Sequence, residues 1–177
     1  MLTFIKNFLF VHKLTFQGYS LLRIAQIKEI KRLEINGSIL DLGSKKSLTN
    51  VTNYLNTKND IIYGDNYSDD PKDLKIDLEK VGQLNSMRFD NILLLNVLEH
   101  ILNYKNCLQN CFSILNRNGK FFGSTPFIFR IHGSPKDYFR YTDEALKCLL
   151  EECGFKEIEI KILEGGIFIC LYSSILT

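Results

Sequence analysis

A chain of 177 residues, 45% hydrophobic and 24% charged, has the material for one folded unit with a substantial core. Its net charge of +2 is close to balance and its Lys and Arg are scattered, which excludes a nucleic-acid binder working by bulk charge. The five cysteines form no C-x-x-C pair and leave one over from any even pairing. No disulfide framework is expected, and a reducing cytoplasm suits the chain.

The first residues, MLTFIKNFLFVHKL, are apolar and mildly basic, with Lys6, His12 and Lys13 interrupting the run. They predict a short amphipathic surface helix, not a signal peptide or a membrane span. Residues 19–34 place Leu22, Ile24, Ile27, Ile30 and Leu33 among charges, which predicts a second helix ended by Asn36-Gly37. Residues 38–42 (SILDL) read as a buried strand, Ser47 to Asn56 as the helix after it, and Asp60 to Gly64 as a second strand. A polar loop with Pro71 leads to a short third strand near Leu74 to Ile76. Phe89 to Leu95 is the most apolar strand, as a central parallel strand should be. A helix over Asn103 to Leu115 follows, and Asn118-Gly119 turns the chain into a fifth strand, Lys120 to Ser124. After a long loop from Pro126 to Tyr141, Thr142 caps a helix that ends at Cys153-Gly154. The tail alternates and turns at Gly165-Gly166, predicting an antiparallel hairpin. Strands alternating with helices predict an α/β fold: a Rossmann-like, doubly wound, mostly parallel sheet in three α/β/α layers, closed by a C-terminal antiparallel hairpin. Residues 1–36 supply N-terminal helices and residues 37–177 the core of one domain.

Two strands stop at polar residues, in Asp41-Leu42-Gly43-Ser44 and in Asn96-Val97-Leu98-Glu99-His100, so the carboxyl edge of the sheet is the expected ligand site. Between them lie Asp65, at the end of the second strand, and the segment LKIDLEK holding Asp77 and Leu78. Beyond the fifth strand comes His132-Gly-Ser-Pro-Lys-Asp-Tyr-Phe-Arg-Tyr-Thr142, a loop whose polar and aromatic content points to binding. In order and spacing these segments, from about Gly37 to Leu163, resemble the class I S-adenosylmethionine-dependent methyltransferases, in particular the type 11-like family. The resemblance implies S-adenosylmethionine as cofactor and methyl transfer to a small molecule or glycan-pathway intermediate. It implies a cofactor site of Asp41, Gly43, Ser44, Asp65, Asp77, Leu78 and Asn96, with Asp65 on the ribose hydroxyls and Asp77 and Leu78 at the adenine. In the family's D-x-G-x-G-x-G loop, Gly43 keeps the first glycine while Lys45 and Ser47 replace the next two. Ser44 or Ser47 is expected to cap the following helix, and Lys45 or Lys46 to face the methionyl carboxylate.

On the acceptor side the resemblance points to His132 as a general base, to His100 and Glu99 as loop-orienting or substrate-sensing groups, and to Tyr138 as a wall. Asp137 and Arg140 are expected to pair and order a substrate-binding loop. No metal is expected: Cys107 and Cys111, four apart, read as an apolar helix face. The apolar N-terminal helix offers a face for a second copy of the chain. Two other readings compete. A nicotinamide enzyme would need G-x-G-x-x-G after the first strand, where Gly43 stands alone, and the Tyr54/Lys58 pair sits on the wrong element. A degenerate methyltransferase-fold scaffold would explain the lost glycines.

Overall fold

The computed structural model describes residues 2–48, 50–84, 86–133, 136–163 and 167–174, with side chains described except at 2–5, 7 and 167–174. Helices α1 (Leu2–Phe16) and α2 (Leu21–Ile30) precede strand β1 (Ile39–Leu42), and β2 (Ile61–Gly64) and β3 (Phe89–Leu95) follow. Helix α3 (Tyr104–Ser113), β4 (Leu115–Pro126), α4 (Asp143–Glu152), β5 (Lys156–Leu163) and β6 (Ile167–Ser174) complete the order. The sheet runs β2-β1-β3-β4-β6-β5; its first four strands are parallel, and β6 pairs antiparallel with both β4 and β5. The expected Gly165-Gly166 turn lies outside the described residues.

Apolar residues divide between the two faces of the sheet. Leu40, Leu42, Ile92, Leu94 and Phe121 pack with Leu108 and Cys111 of α3 and with Leu146 and Leu150 of α4. Ile39, Leu93 and Phe122 pack with Leu14 of α1 and with Ile24, Ile27 and Ile30 of α2. Alternate residues of one strand thus serve opposite cores, which is why consecutive positions such as Ile39-Leu40 in β1 and Ile92 to Leu94 in β3 are all apolar. No helix among the described residues is long and apolar enough to cross a membrane.

Several elements depart from the expectations. Ser47 to Asn56 holds only a 3-10 turn, Val51–Tyr54, in place of a helix. Side-chain amides take the backbone groups a helix would use: Asn53 donates to the carbonyls of Ser47 and Leu48 at 2.8 and 3.1 Å, and Asn50 donates to that of Lys45. Asn50, not Ser44 or Ser47, caps the turn by accepting from the Thr52 amide. The third strand is reduced to one parallel bridge, Gly64 to Leu74, because Ile76 and Leu78 turn inward to the core. The second helix ends at Ile30, four residues before the expected stop, with Lys31 as its cap. The Asn118-Gly119 turn lies inside β4: Leu115 pairs with Phe89 and Lys120 with Asn91, so residues 116–119 bulge opposite Asp90. Asn118 takes φ +59° there, and Asn116 donates to the Asp90 carboxylate at 2.7 Å.

Register sets what the sheet presents at its carboxyl edge. Leu42 is level with Gly64 on one side and Leu94 on the other, so the residues after each of these strands emerge at one height. Gly43 has φ +74°, and a Cβ there would sit 2.4 Å from Val97 Cγ2, so the tips of β1 and β3 touch through space only a glycine leaves open. Gly43→Ala is expected to destabilise by about 2–3 kcal/mol in urea unfolding, through backbone strain and overpacking together. Combined with Val97→Ala, the loss should be about 1 kcal/mol smaller than the sum of the two single losses; strict additivity would mean that the contact is not the constraint.

Candidate functional site

A cavity of about 810 Å³ opens at this edge, between the strand tips, α2 and the loop after β4. Asp41, Gly43, Ser44, Asp65, Asp77, Leu78 and Asn96 all line it, as do His100, His132 and Tyr138. Asp137 and Arg140 are not among the lining residues; they pair with each other and order the loop that carries His132 and Tyr138. Arg140 grips both oxygens of Asp137, at 2.5 and 2.7 Å, and donates to the carbonyls of Phe139 and Arg130. Asp137 also accepts from the His132 amide at 2.8 Å. The guanidinium holds the Asp137 carboxyl well below the usual carboxylate range, and the pair is spent on shaping the loop.

Asp41 is buried at the end of β1. One oxygen accepts from the Ser44 hydroxyl at 2.5 Å and from Asn50 at 3.5 Å; the other has no hydrogen-bond partner. Burial outweighs these hydrogen bonds and pushes its pKa from the ordinary 3.8 to about 6. Ser44 therefore serves Asp41, not a helix. Lys45 lies exposed on the cavity wall and does not plug it.

Asp65 ends β2 with its backbone amide on the Leu74 carbonyl, and one of its oxygens accepts from the Tyr67 amide at 2.6 Å. Asp69 and Asp70, further along that loop, stand off the cavity wall. Asp77 accepts from the Glu79 amide at 3.1 Å and pairs with Lys80 at 3.2 Å, while Leu78 is buried beside it. Helix α3 steadies this segment, since Asn110 donates to the carbonyls of Leu78 and Lys80 at 3.0 and 2.8 Å.

Asn96 follows β3 with φ +56°, a left-handed conformation that Asn tolerates better than most residues. Its side-chain carbonyl accepts from Gln26 at 2.9 Å and from Ser124 at 3.1 Å, and Gln26 also donates to Ser124 at 2.9 Å. Gln26 is 1% exposed, and sequence reasoning missed it. Its signal was a polar residue at helical spacing between Leu22 and Ile30 on the buried stripe of α2. With Ser20, Leu22 and Arg23 it lets α2 close one side of the cavity.

At the far side, the 3-10 turn Leu98–His100 meets the loop after β4. The Glu99 carbonyl accepts from the Tyr138 amide at 2.8 Å, and the Lys136 carbonyl sits 2.5 Å from His100 Nδ1. Glu99 is wholly buried, and neither of its carboxylate oxygens makes an aligned hydrogen bond among the described residues; burial raises its pKa to about 7, against its own backbone amide, Arg140 and the Thr125 hydroxyl, which favour the charged form. The rings of His100 and His132 meet edge-on, their centroids 4.9 Å apart.

The sequence matches no protein-family model and no curated protein. Solved structures do match. A Burkholderia thailandensis 1,6-didemethyltoxoflavin-N1-methyltransferase, with 1,6-didemethyltoxoflavin and S-adenosylhomocysteine bound, superposes with a TM-score of 0.69 at 14% identity, over 99% of this chain and 86% of that one. A Thermotoga maritima S-adenosylmethionine-dependent methyltransferase gives 0.62 at 13% identity, over 88% and 89%. One from Archaeoglobus fulgidus gives 0.59 at 14% identity, over 84% and 89%. The chain has the class I methyltransferase fold. Within that fold the strand tips, α2 and the loop after β4 converge on one cavity, with Cys107 and Cys111 buried away from it in the core of α3.

The Asp41 environment has a consequence for stability. Between pH 4 and 6 the folded chain keeps the Asp41 proton that the unfolded chain releases, so stability falls as pH rises through this window. The loss is roughly 3 kcal/mol, at about 1.4 kcal/mol per pH unit. Glu99, raised from 4.5 to about 7, adds a slope of the same sign, so Asp41→Asn should reduce the slope between pH 4 and 6 by about 1.4 kcal/mol per pH unit without abolishing it; an unchanged slope in urea titrations at stepped pH would place its source elsewhere.

Proposed function

We propose that this chain is an enzyme that transfers a methyl group from S-adenosylmethionine to a small-molecule or glycan-intermediate acceptor. The observation that carries the reading is the flush register of β1, β2 and β3, which sets Gly43, Asp65 and Asn96 around one cavity. S-adenosylmethionine, when bound, supplies an electrophilic methyl on a sulfonium sulfur. The residues present fit it. Asp65 offers carboxylate oxygens to paired ribose hydroxyls, and Asp77 and Leu78 offer an acceptor and an apolar wall to the adenine. Gly43 leaves the backbone open to close approach, and Lys45 carries the charge for a carboxylate in place of a helix N-terminus.

In this reading the protein acts mainly by positioning. Asn96, held by Gln26 and Ser124, fixes the floor of the cavity, and Tyr138 walls the acceptor. Holding two reactants in line contributes up to roughly 7–11 kcal/mol in favourable cases. An acceptor hydroxyl would lose its proton through His132, directly or by way of a group this histidine holds; direct base catalysis contributes about 10²–10⁴-fold. Residues 1–36 belong to the same working unit, because Gln26 reaches across to Asn96. A cytoplasmic setting is proposed on the free cysteines, Cys107, Cys111, Cys148 and Cys153, among the described residues.

The shortened turn after β1 favours a second reading, a binding or scaffold protein that keeps the fold without turnover. Calorimetry on Asp65→Ala tests the ribose assignment on which the enzyme reading depends. The variant should bind S-adenosylmethionine about 30-fold more weakly than wild type, the loss of roughly 2 kcal/mol of charge-assisted hydrogen bonding. Equal affinities would favour the scaffold reading or a ribose site away from Asp65.

A further inference from the structure

His100 and His132, on the cavity wall, and Glu99, buried behind it, each offer one ligand atom, and these atoms all lie within 4.8 Å of one another. Each of the three is in an arrangement that protein–protein hydrogen bonding leaves incomplete. His100 Nδ1 faces the Lys136 carbonyl, which can only accept, so Nδ1 carries a hydrogen and Nε2 is the nitrogen left for another group. Nε2 lies 3.8 Å from Glu99 Oε1, too far for a hydrogen bond. Neither Glu99 oxygen makes an aligned hydrogen bond among the described residues, and the nearby Arg140 is already committed to Asp137 and two carbonyls. A buried carboxyl in this state carries its charge at a cost unless something positive meets it.

We propose that Glu99, His100 and His132 form a binding site for a divalent first-row transition-metal ion such as Zn²⁺. Two imidazoles and one carboxylate are a recurrent ligand set for such ions, and they leave coordination positions open. Metal–ligand bonds of about 2.0–2.2 Å hold neighbouring ligand atoms roughly 3–3.5 Å apart, so a contraction of about an ångström closes the set around one ion. The outer partners also suit the role, since ligating histidines commonly turn the other ring nitrogen to a carbonyl or carboxylate. His100 has the Lys136 carbonyl, and His132 Nδ1 lies 3.2 Å from Asp137 Oδ2, close enough for a carboxylate partner though not aligned as a hydrogen bond. The Asp137–Arg140 pair, which binds nothing in the cavity, then gains a purpose: it holds the loop that delivers His132.

His100 and His132 also line the cavity, so the open positions of the ion face the acceptor. They select an acceptor that presents oxygen donors, such as a phenol or adjacent hydroxyls. This selection rests on the methyl-transfer reading; the metal site does not.

The test is calorimetry of chelator-stripped, full-length protein with Zn²⁺ alone, paired with S-adenosylhomocysteine titrations of the same samples. Wild type should take up one equivalent of Zn²⁺, and Glu99→Gln and His132→Ala should each weaken that uptake at least 10-fold while S-adenosylhomocysteine affinity stays within twofold. His132 is one-third exposed on a loop, so His132→Ala keeps the test usable if Glu99→Gln fails to fold. No uptake by wild type, or uptake unchanged in His132→Ala as thiol-bound zinc would give, overturns the site. Absence of S-adenosylhomocysteine binding alongside intact Zn²⁺ uptake would count against the methyl-donor reading and leave the metal site standing.

Discussion

The contact between Gly43 and Val97 governs everything at the carboxyl edge of this sheet. With no Cβ at Gly43, β1 ends in a left-handed turn that lets the residue after Asn96 close over it, and the two neighbouring strand tips meet without a gap. Parallel register then fixes Gly64 and Asp65 at the same height. The cavity is therefore a product of strand alignment in a well-packed core, and rigid strands position the groups around it more firmly than loops could.

Polar groups close around that apolar frame in two layers. Near the sheet, Gln26, Asn96 and Ser124 hydrogen-bond one another in a part-buried triangle that ties α2 to β3 and β4. Such a closed network resists rearrangement because moving any member breaks its hydrogen bonds to the other two. Farther out, Asp137 and Arg140 hold the loop after β4 against the turn at Glu99, through the Tyr138 amide and the Lys136 carbonyl. Two buried carboxyls, Asp41 on the cavity wall and Glu99 behind it, keep oxygens without an aligned hydrogen bond among the described residues.

Strand β3 was legible because Ile92 to Leu95 is a continuous apolar run behind Phe89, and such a run has one economical placement, the middle of a parallel sheet. Helix α4 was legible because Thr142 and Gly154 punctuate it, and the Thr142 hydroxyl does accept from the Ala145 amide at 3.1 Å. The pairing of Asp137 with Arg140 followed from their i,i+3 spacing in a polar loop. The missing helix after β1 was not legible, because its loss comes from Asn50 and Asn53 choosing backbone carbonyls as partners, a competition that residue spacing does not encode. The bulge in β4 was hidden for a similar reason: Asn118-Gly119 signals a turn, and only pairing with Phe89 upstream shows the strand resuming on both sides. Gln26 needed a partner 70 residues away to acquire meaning. Glu99 stood in the motif, but its burial without an aligned hydrogen bond belongs to the folded state alone.

The fold's central claim is that three strand tips shape one cavity for an adenosine-bearing ligand, and a crystal structure grown with S-adenosylhomocysteine tests it most directly. Density for the ribose beside Asp65, the adenine against Leu78 and the amino-acid end near Gly43 and Lys45 is the predicted result. A clear cavity at saturating ligand, or density lodged elsewhere on the molecule, would contradict it.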